Sequence, residues 1–251
     1  MIALSGVTRR HAGRPALDRV EFEVGRGEFV ALVGPSGSGK TTLLKTINRL
    51  VEPDEGSVRL DGRDVRSLEA PALRRSIGYV FQDIGLFPHM SVADNVWIVP
   101  RLLGDRDGRE GRVAELLDLV ALPRDFAGRY PASLSGGQAQ RVGVARALAA
   151  GPKLVLMDEP FGALDPVTRD ALGRSWRGLH DRLGLTTIMV THDLAEALLL
   201  ADRIVVLIAG RIRADAAPAV LLRGSDDPEV AALVEVPRRQ AARLAGLAGP
   251  A

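Results

Sequence analysis

Cysteine is absent from the 251 residues, which excludes disulfides, thiol catalysis and thiolate metal sites. Long apolar runs are also missing: the most apolar stretch is Ile204–Ala209, and a membrane-spanning helix needs about 20 apolar residues. No basic segment followed by an apolar one opens the chain, so no secretory signal is expected. Neither sign of charge dominates, because Lys and Arg number 33 and Asp and Glu 31. The arginines are scattered among acids, so the charge pattern calls for no nucleic-acid partner.

The remaining composition is that of a folded domain, with 46% hydrophobic and 25% charged residues. Short apolar runs alternate with helical patterns, which predicts an α/β architecture with a largely parallel sheet. Residues 91–150 have helical periodicity and little strand signal, so we expect a helical segment inserted into the α/β core. We expect residues 1–236 to form a single domain and residues 237–251 a short, frayed tail.

A glycine-rich loop lies between an apolar strand, Phe29–Val33, and a helical pattern beginning near Thr42. Its spacing is that of G-x-x-x-x-G-K-[ST], in which backbone N–H groups surround phosphate oxygens at a helix N-terminus. Lys40 would neutralise the β- and γ-phosphates, and the Thr41 hydroxyl would bind Mg²⁺. A flexible linker is the alternative, but the strand and helix on either side favour phosphate binding. The candidate ATP-binding residues are Gly34, Pro35, Ser36, Gly37, Ser38, Gly39, Lys40, Thr41 and Thr42.

Two carboxylates follow a second apolar strand, Leu154–Met157. Ligands of open parallel sheets bind at the carboxyl ends of the strands. Asp158 is a candidate Mg²⁺ ligand, and Glu159 is placed to polarise an attacking water. Two solvated acids at a strand end are the alternative.

A third motif, Leu134–Gln138, would begin a helix with a serine and two glycines. Ser135, Gly136, Gly137 and Gln138 form a second candidate anion-binding helix end. The same residues also fit an ordinary N-cap with a capping box, and both interpretations can hold together.

With these motifs the chain resembles the ATP-binding cassette (ABC) ATPases from about Ile2 to Leu222. The resemblance implies an α/β P-loop core with an N-terminal antiparallel β subdomain and an inserted helical subdomain. Gly34–Thr41 then corresponds to the Walker A loop, Leu154–Glu159 to Walker B and Leu134–Gln138 to the signature motif. The signature of one subunit would close over ATP held by the other. The resemblance thus implies a head-to-tail dimer with a second copy or a homologous ATPase.

Single residues gain roles from the same resemblance. Gln82 matches the glutamine that touches Mg²⁺ and the attacking water, and His192 matches the histidine that contacts the γ-phosphate. Ala163–Asp165 matches the D-loop. His11 falls where the family usually has an aromatic residue that stacks on adenine, so it is a candidate for that contact. Together with Glu159, Gln82 and His192 are the candidate catalytic residues, while Thr41, Gln82 and Asp158 are the candidate Mg²⁺ ligands.

Among ABC ATPases, the motor of a membrane importer fits the sequence best. DNA-repair members insert a coiled coil between the Walker A loop and the signature, and no heptad run lies between Lys40 and Ser135. Translation-associated members carry two cassettes, and exporters often fuse the motor to membrane spans. We therefore expect a peripheral subunit on the cytoplasmic face of the membrane. It would be bound to a permease and served indirectly by a substrate-binding protein.

The finer resemblance is to ATPases of quaternary-amine osmoprotectant importers, for glycine betaine, choline or carnitine. It is carried by Thr46–Pro53, Ile77–His89 and Gln138–Ala147. An amino-acid or other small-solute importer is the alternative. Many members carry C-terminal regulatory domains, and we expect none after Leu222. The permease would contact residues 82–91.

Overall fold

A computed structural model describes residues 1–105, 107–162 and 164–248, with side chains as far as residue 243. These residues form two β-sheets and the helices that surround them. The strands are β1 (Ile2–His11), β2 (Arg14–Val24), β3 (Phe29–Val33), β4 (Glu55–Leu60), β5 (Arg63–Asp64), β6 (Ile77–Val80), β7 (Leu154–Asp158), β8 (Thr186–Val190), β9 (Arg203–Ile208) and β10 (Arg211–Ala216). The α-helices are α1 (Lys40–Ile47), α2 (Ala70–Ser76), α3 (Val92–Val96), α4 (Ile98–Leu102), α5 (Arg109–Leu119), α6 (Gly136–Leu148), α7 (Pro166–Leu183), α8 (Leu194–Leu200), α9 (Pro218–Leu221) and α10 (Pro228–Ala248).

The larger sheet has the strand order β10-β9-β3-β8-β7-β6 and is parallel except for β10. Every residue of β3, an interior strand of this sheet, is apolar and buried. Such a sequence is typical of a parallel strand that is covered on both faces. Successive residues alternate between two hydrophobic cores: Phe29 and Ala31 belong to one, Val30 and Leu32 to the other. The four-stranded sheet, β2-β1-β4-β5, is antiparallel and packs on the second core. The predicted α/β class with an antiparallel subdomain is confirmed.

Between β6 and β7 the described residues form helices rather than strands. The first of these helices are short: α3 and α4 are separated by a break at Trp97. Pro100 accounts for the break: it lacks the N–H that would bond to the Val96 carbonyl, and its ring clashes with that oxygen.

The C-terminal segment is helical in the part that the structure describes. Helix α10 runs through Pro237 to Ala248. Val230 and Val234 are buried and anchor its first turns, and the alanine-, leucine- and arginine-rich sequence beyond has high helix propensity. No helix in the described ranges combines the length and apolarity needed to cross a bilayer.

Candidate active site

The carboxyl ends of β3, β6, β7 and β8 meet at one edge of the larger sheet, and each is followed by a predicted site residue. A cavity of about 460 Å³ opens there. It is lined by Ala16, Ser36, Gly37, Ser38, Gly39, Lys40, Thr41, Thr42, Gln82, Glu159 and His192. Segments that are distant in sequence are therefore brought to one site, as expected for a parallel sheet.

The loop after β3 is tightly folded, and its first and last glycines have backbone conformations and close contacts that exclude a side chain. Gly34 has a φ of 146° and Gly39 a φ of 104°. A side chain at Gly34 would collide with the Leu207 carbonyl, and one at Gly39 with the Ala16 carbonyl. Residues 36–39 line the cavity, whereas the predicted Gly34 and Pro35 do not.

Lys40 directly follows this loop, and its buried side chain folds back to contact the start of the loop. Its Nζ donates hydrogen bonds to the carbonyl oxygens of Gly34, at 2.8 Å, and Pro35, at 2.9 Å. Burial lowers the pKa of Lys40, and the negative charges of Glu159 and Asp158 oppose that shift. A buried ammonium bonded to neutral carbonyls at the base of an open cavity fits a polyanion such as a nucleoside triphosphate.

Thr41 and Asp158 supply two adjacent oxygen atoms at the cavity floor. The Thr41 hydroxyl donates to Oδ1 of Asp158 at 2.8 Å. Burial raises the pKa of Asp158, and the hydrogen bond from Thr41 opposes this. Mg²⁺ is usually held by one or two protein oxygens together with phosphates and water. This pair fits such an ion, and the described residues hold no larger cluster of acids and histidines that would suggest another kind of metal centre.

Glu159 lies between Gln82 and His192. Nε2 of Gln82 donates to Oε2 of Glu159 at 3.3 Å, and Nδ1 of His192 lies 3.3 Å from the same oxygen. The Glu159 backbone has a φ of 45°, held by a hydrogen bond from its N–H to the Val190 carbonyl at 2.9 Å. A left-handed backbone at a non-glycine residue is typical of functional sites. The other two predicted catalytic residues thus approach the same oxygen of Glu159.

The predicted signature residues lie outside this cavity. Ser135 is the N-cap of α6, and its Oγ accepts from the Gln138 N–H at 3.3 Å. Oε1 of Gln138 in turn accepts from the Ser135 N–H at 2.9 Å. The capping box is therefore present within the chain, and the Gly136 surface is open. If these residues contact ATP, that ATP would be bound in the cavity of another subunit.

Two other predicted features, His11 and the D-loop, do not line the cavity. His11 is exposed at the tip of the β1–β2 hairpin, paired with Arg14, and Ala16 lines the cavity instead. Of the predicted D-loop, Ala163 lies outside the described residues. Asp165 is the N-cap of α7 and accepts hydrogen bonds from two backbone N–H groups.

Ala16 and Tyr79 were not predicted from sequence. The Tyr79 hydroxyl lies 3.5 Å from Oδ2 of Asp158, and burial raises the Tyr79 pKa. Tyr79 is one residue of an apolar strand, and Ala16 has no functional group, so neither carries a motif signal. A phosphate-binding type of loop beside two acids at the edge of a parallel sheet defines the P-loop class of α/β folds.

Comparisons with known proteins agree with this class. A family model described as ABC transporter matches residues 17–162. The chain therefore belongs to the ABC transporter family. It is 48% identical to a choline transport ATP-binding protein of Bacillus subtilis, over 90% of this chain and 60% of that protein. It is 49% identical to a sulfate/thiosulfate import ATP-binding protein of Chromobacterium violaceum, over 93% of this chain and 63% of that protein.

A solved structure has the same fold. It is an ATP-binding cassette seen as a dimer in a post-hydrolysis state with ADP and Pi, with a TM-score of 0.77 and 36% identity. The match covers 87% of this chain and 99% of the solved one. This chain spans about six tenths of the length of the curated relatives that it matches.

Proposed function

We propose that this chain hydrolyses ATP as the motor subunit of an ABC importer. The observation that carries the proposal is the contact of Gln82 and His192 with one oxygen of Glu159, beside a loop built for phosphates. The alternative of two solvated acids does not explain why three side chains from three loops converge there.

The residues divide the chemistry between them. Backbone N–H groups of the loop and Lys40 bind the phosphates. Thr41 and Asp158 would hold Mg²⁺, which would offset the charge of the phosphates. Glu159 takes a proton from a water that attacks the γ-phosphorus. The bond to the β-phosphate oxygen breaks, which yields ADP and inorganic phosphate. Gln82 orients the water, and His192 donates to the γ-phosphate oxygens.

A second cassette completes the site in this proposal. Ser135, Gly136, Gly137 and Gln138 lie outside the chain's own cavity, so they are free to meet ATP bound by a partner subunit. The dimeric state of the solved cassette of similar fold supports this arrangement.

A permease would bind beside the Gln82 loop, on the cytoplasmic face of the membrane. A separate cavity of about 430 Å³ lies there, with more apolar than polar surface and with Phe81 and Phe87 exposed in its lining. Arg146 of α6 donates to the Ile84 and Gly85 carbonyls at 2.5 and 2.6 Å, which fixes the loop to the helix that begins at Ser135. Movement of a bound permease would thereby reach both Gln82 and the signature residues.

For the transported solute we propose a quaternary-amine osmoprotectant, delivered by a separate substrate-binding protein. The similarity to the choline transport protein supports this class. The similarity to the sulfate/thiosulfate protein makes a small inorganic anion the second candidate.

The test is uptake by vesicles that contain this chain with its permease and binding protein. Glycine betaine, choline, sulfate and a neutral amino acid are compared, with the Glu159→Gln variant as the inactive control. We expect ATP-dependent uptake of the two amines only. Uptake confined to sulfate or to the amino acid would overturn the substrate class and leave the ATPase assignment intact. Uptake that is equal with the Glu159→Gln variant would overturn the motor assignment.

A further inference from the structure

Arg169, in the second turn of α7, joins two loops of the site without lining its cavity. Its Nη2 donates to the Leu164 carbonyl at 3.0 Å and to the Gly162 carbonyl at 3.4 Å. Its Nη1 lies 3.5 Å from Oδ2 of Asp193. The first two acceptors belong to the loop that follows Glu159, and the third to the loop that carries His192.

Both loops are close to the reacting groups at the points that Arg169 holds. A carbon atom added to Gly162 would lie 3.7 Å from Oε2 of Glu159 and 3.8 Å from Cε1 of His192. Asp193 directly follows His192, and its Oδ1 accepts from the Ala195 N–H at 2.9 Å as the N-cap of α8. We therefore expect a shift of Gly162 or of Asp193 to change the position of His192 relative to Glu159.

The His192 ring depends on this backbone because burial does not hold it. Its side chain is 59% exposed, and its described contact is the 3.3 Å approach to Glu159. An exposed imidazole is free to adopt other rotamers unless the loop beneath it is fixed. Arg169 contacts that loop through Asp193 and does not itself line the cavity.

We infer that Arg169 is a positioning residue that holds His192 against Glu159. The inference rests on the proposed ATPase function, because it concerns the geometry of that reaction. An exposed ion pair elsewhere on the surface would contribute little. Arg169 differs from such a pair because two of its three acceptors are backbone carbonyls of the loop that it holds.

The first test observes His192 directly, by NMR of the chain labelled at histidine Cε1. The four histidines give one signal each, and the His192 signal is assigned with His192→Gln. In Arg169→Gln we expect the His192 signal to shift or broaden, while those of His11, His89 and His180 stay. Arg174→Gln is the matched control, because Arg174 also lies on α7 and pairs with the exposed Asp170. An unchanged His192 signal in Arg169→Gln would overturn the inference.

The second test is a kinetic cycle. Because small misplacements of reacting groups are costly, we expect Arg169→Gln to lower kcat by about tenfold or more, with the Kd of a fluorescent ATP analogue within twofold of the wild type. In a His192→Ala background the same change should lower single-turnover ATP cleavage less than twofold, since the His192 ring that Arg169 holds against Glu159 is no longer present. Equal factors in both backgrounds, or a matching loss of nucleotide binding, would overturn the inference.

Conservative variants keep the test valid if Arg169→Gln unfolds. Arg169→Lys retains the charge but cannot span three acceptors, so we expect an intermediate kcat and an intermediate His192 signal. Asp193→Asn keeps the capping oxygen and removes the charge, and should resemble Arg169→Lys. Full wild-type turnover in both variants would contradict the inference. Absence of ATP hydrolysis by the wild type would overturn the proposed function itself, and with it this inference.

Discussion

The Thr41 hydroxyl and the Asp158 carboxylate are joined by a 2.8 Å hydrogen bond, although 117 positions separate them in sequence. Strand β7 ends at Asp158, and α1 contains Thr41 in its first turn. Strands β3 and β7 are both parallel neighbours of β8, and that register brings the two oxygen atoms together. The two oxygen atoms that we propose as ligands for Mg²⁺ are thus already adjacent, which would reduce the reorganisation needed on binding.

Thr41→Val should raise the Mg²⁺ concentration needed for ATP binding, because it removes one of the two oxygens. Thr41→Ser is the matched control, since it keeps the hydroxyl and should stay close to the wild type. Titration of nucleotide binding with Mg²⁺, at fixed ATP, measures the effect. Identical curves for Thr41→Val and Thr41→Ser would remove Thr41 from the metal site.

Glu159→Gln should lower the rate of ATP hydrolysis while nucleotide binding persists. A general base contributes about 10²–10⁴-fold to a rate, and the amide keeps the size of the side chain without its basicity. Steady-state ATPase assays and nucleotide binding measure the two effects. Glu110→Gln, an exposed acid on α5, is the control and should hydrolyse ATP normally. Turnover within twofold of the wild type in Glu159→Gln would argue against this role.

Ser135 should act on ATP bound to the Lys40 of the other subunit. Placing Ser135→Arg and Lys40→Ala on one subunit of a mixed dimer damages both composite sites. Placing them on different subunits damages one site twice and leaves the other whole. We expect one site of normal affinity in the second dimer only, measured as nucleotide bound per dimer. Equal occupancy in the two dimers would contradict a head-to-tail arrangement.

His180 should make the chain less stable in mild acid. The ring is buried against Phe29, and its Nδ1 lies 3.0 Å from the Thr187 hydroxyl. Burial lowers its pKa in the folded state. As the pH falls through about 6.5, the usual histidine pKa, the unfolded chain therefore binds a proton more readily than the folded one. The free energy of unfolding should decrease over that range.

Urea unfolding between about pH 7.5 and 5.5 measures this effect around the usual histidine pKa. His180→Gln should flatten the dependence of stability on pH, whatever its effect on stability itself. His89→Gln changes an exposed histidine and should leave the dependence as in the wild type. A wild-type slope in His180→Gln would assign the acid sensitivity to other groups.

Local sequence predicted the parts of the site that a few neighbouring residues determine. The loop Gly34–Thr41 needs only its glycines, the preceding strand and the following helix, and all of these are contiguous. Strand β3 was predicted at Phe29–Val33, as the structure has it, because a short, continuously apolar run is typical of a strand that is covered on both faces. Such features depend on short-range geometry.

Other features depend on pairing between distant segments, which one sequence does not reveal. His11 does not line the cavity, and the β1–β2 register places it opposite Arg14 at the hairpin tip. Arg169 carries no motif signal, since two of its acceptors are backbone carbonyls that any residue provides. The contact of Tyr79 with Asp158 follows from the β6–β7 register, which pairs Val80 with Met157. The strand order that brings Tyr79 next to Asp158 is a property of the whole sheet.

With Glu159 as the proposed general base, its left-handed backbone places heat resistance and turnover in conflict at one position. A residue with a side chain in this region costs about 1–2 kcal/mol relative to the right-handed form, whereas glycine and asparagine tolerate it. Glu159→Gly or Glu159→Asn should therefore raise the melting temperature, and both would remove the carboxylate beside Asp158. A laboratory selection that retains variants only because they stay soluble after heating would favour such substitutions, and it would enrich chains that do not hydrolyse ATP. A selection that also demands ATP turnover would retain the glutamate and find its stability elsewhere.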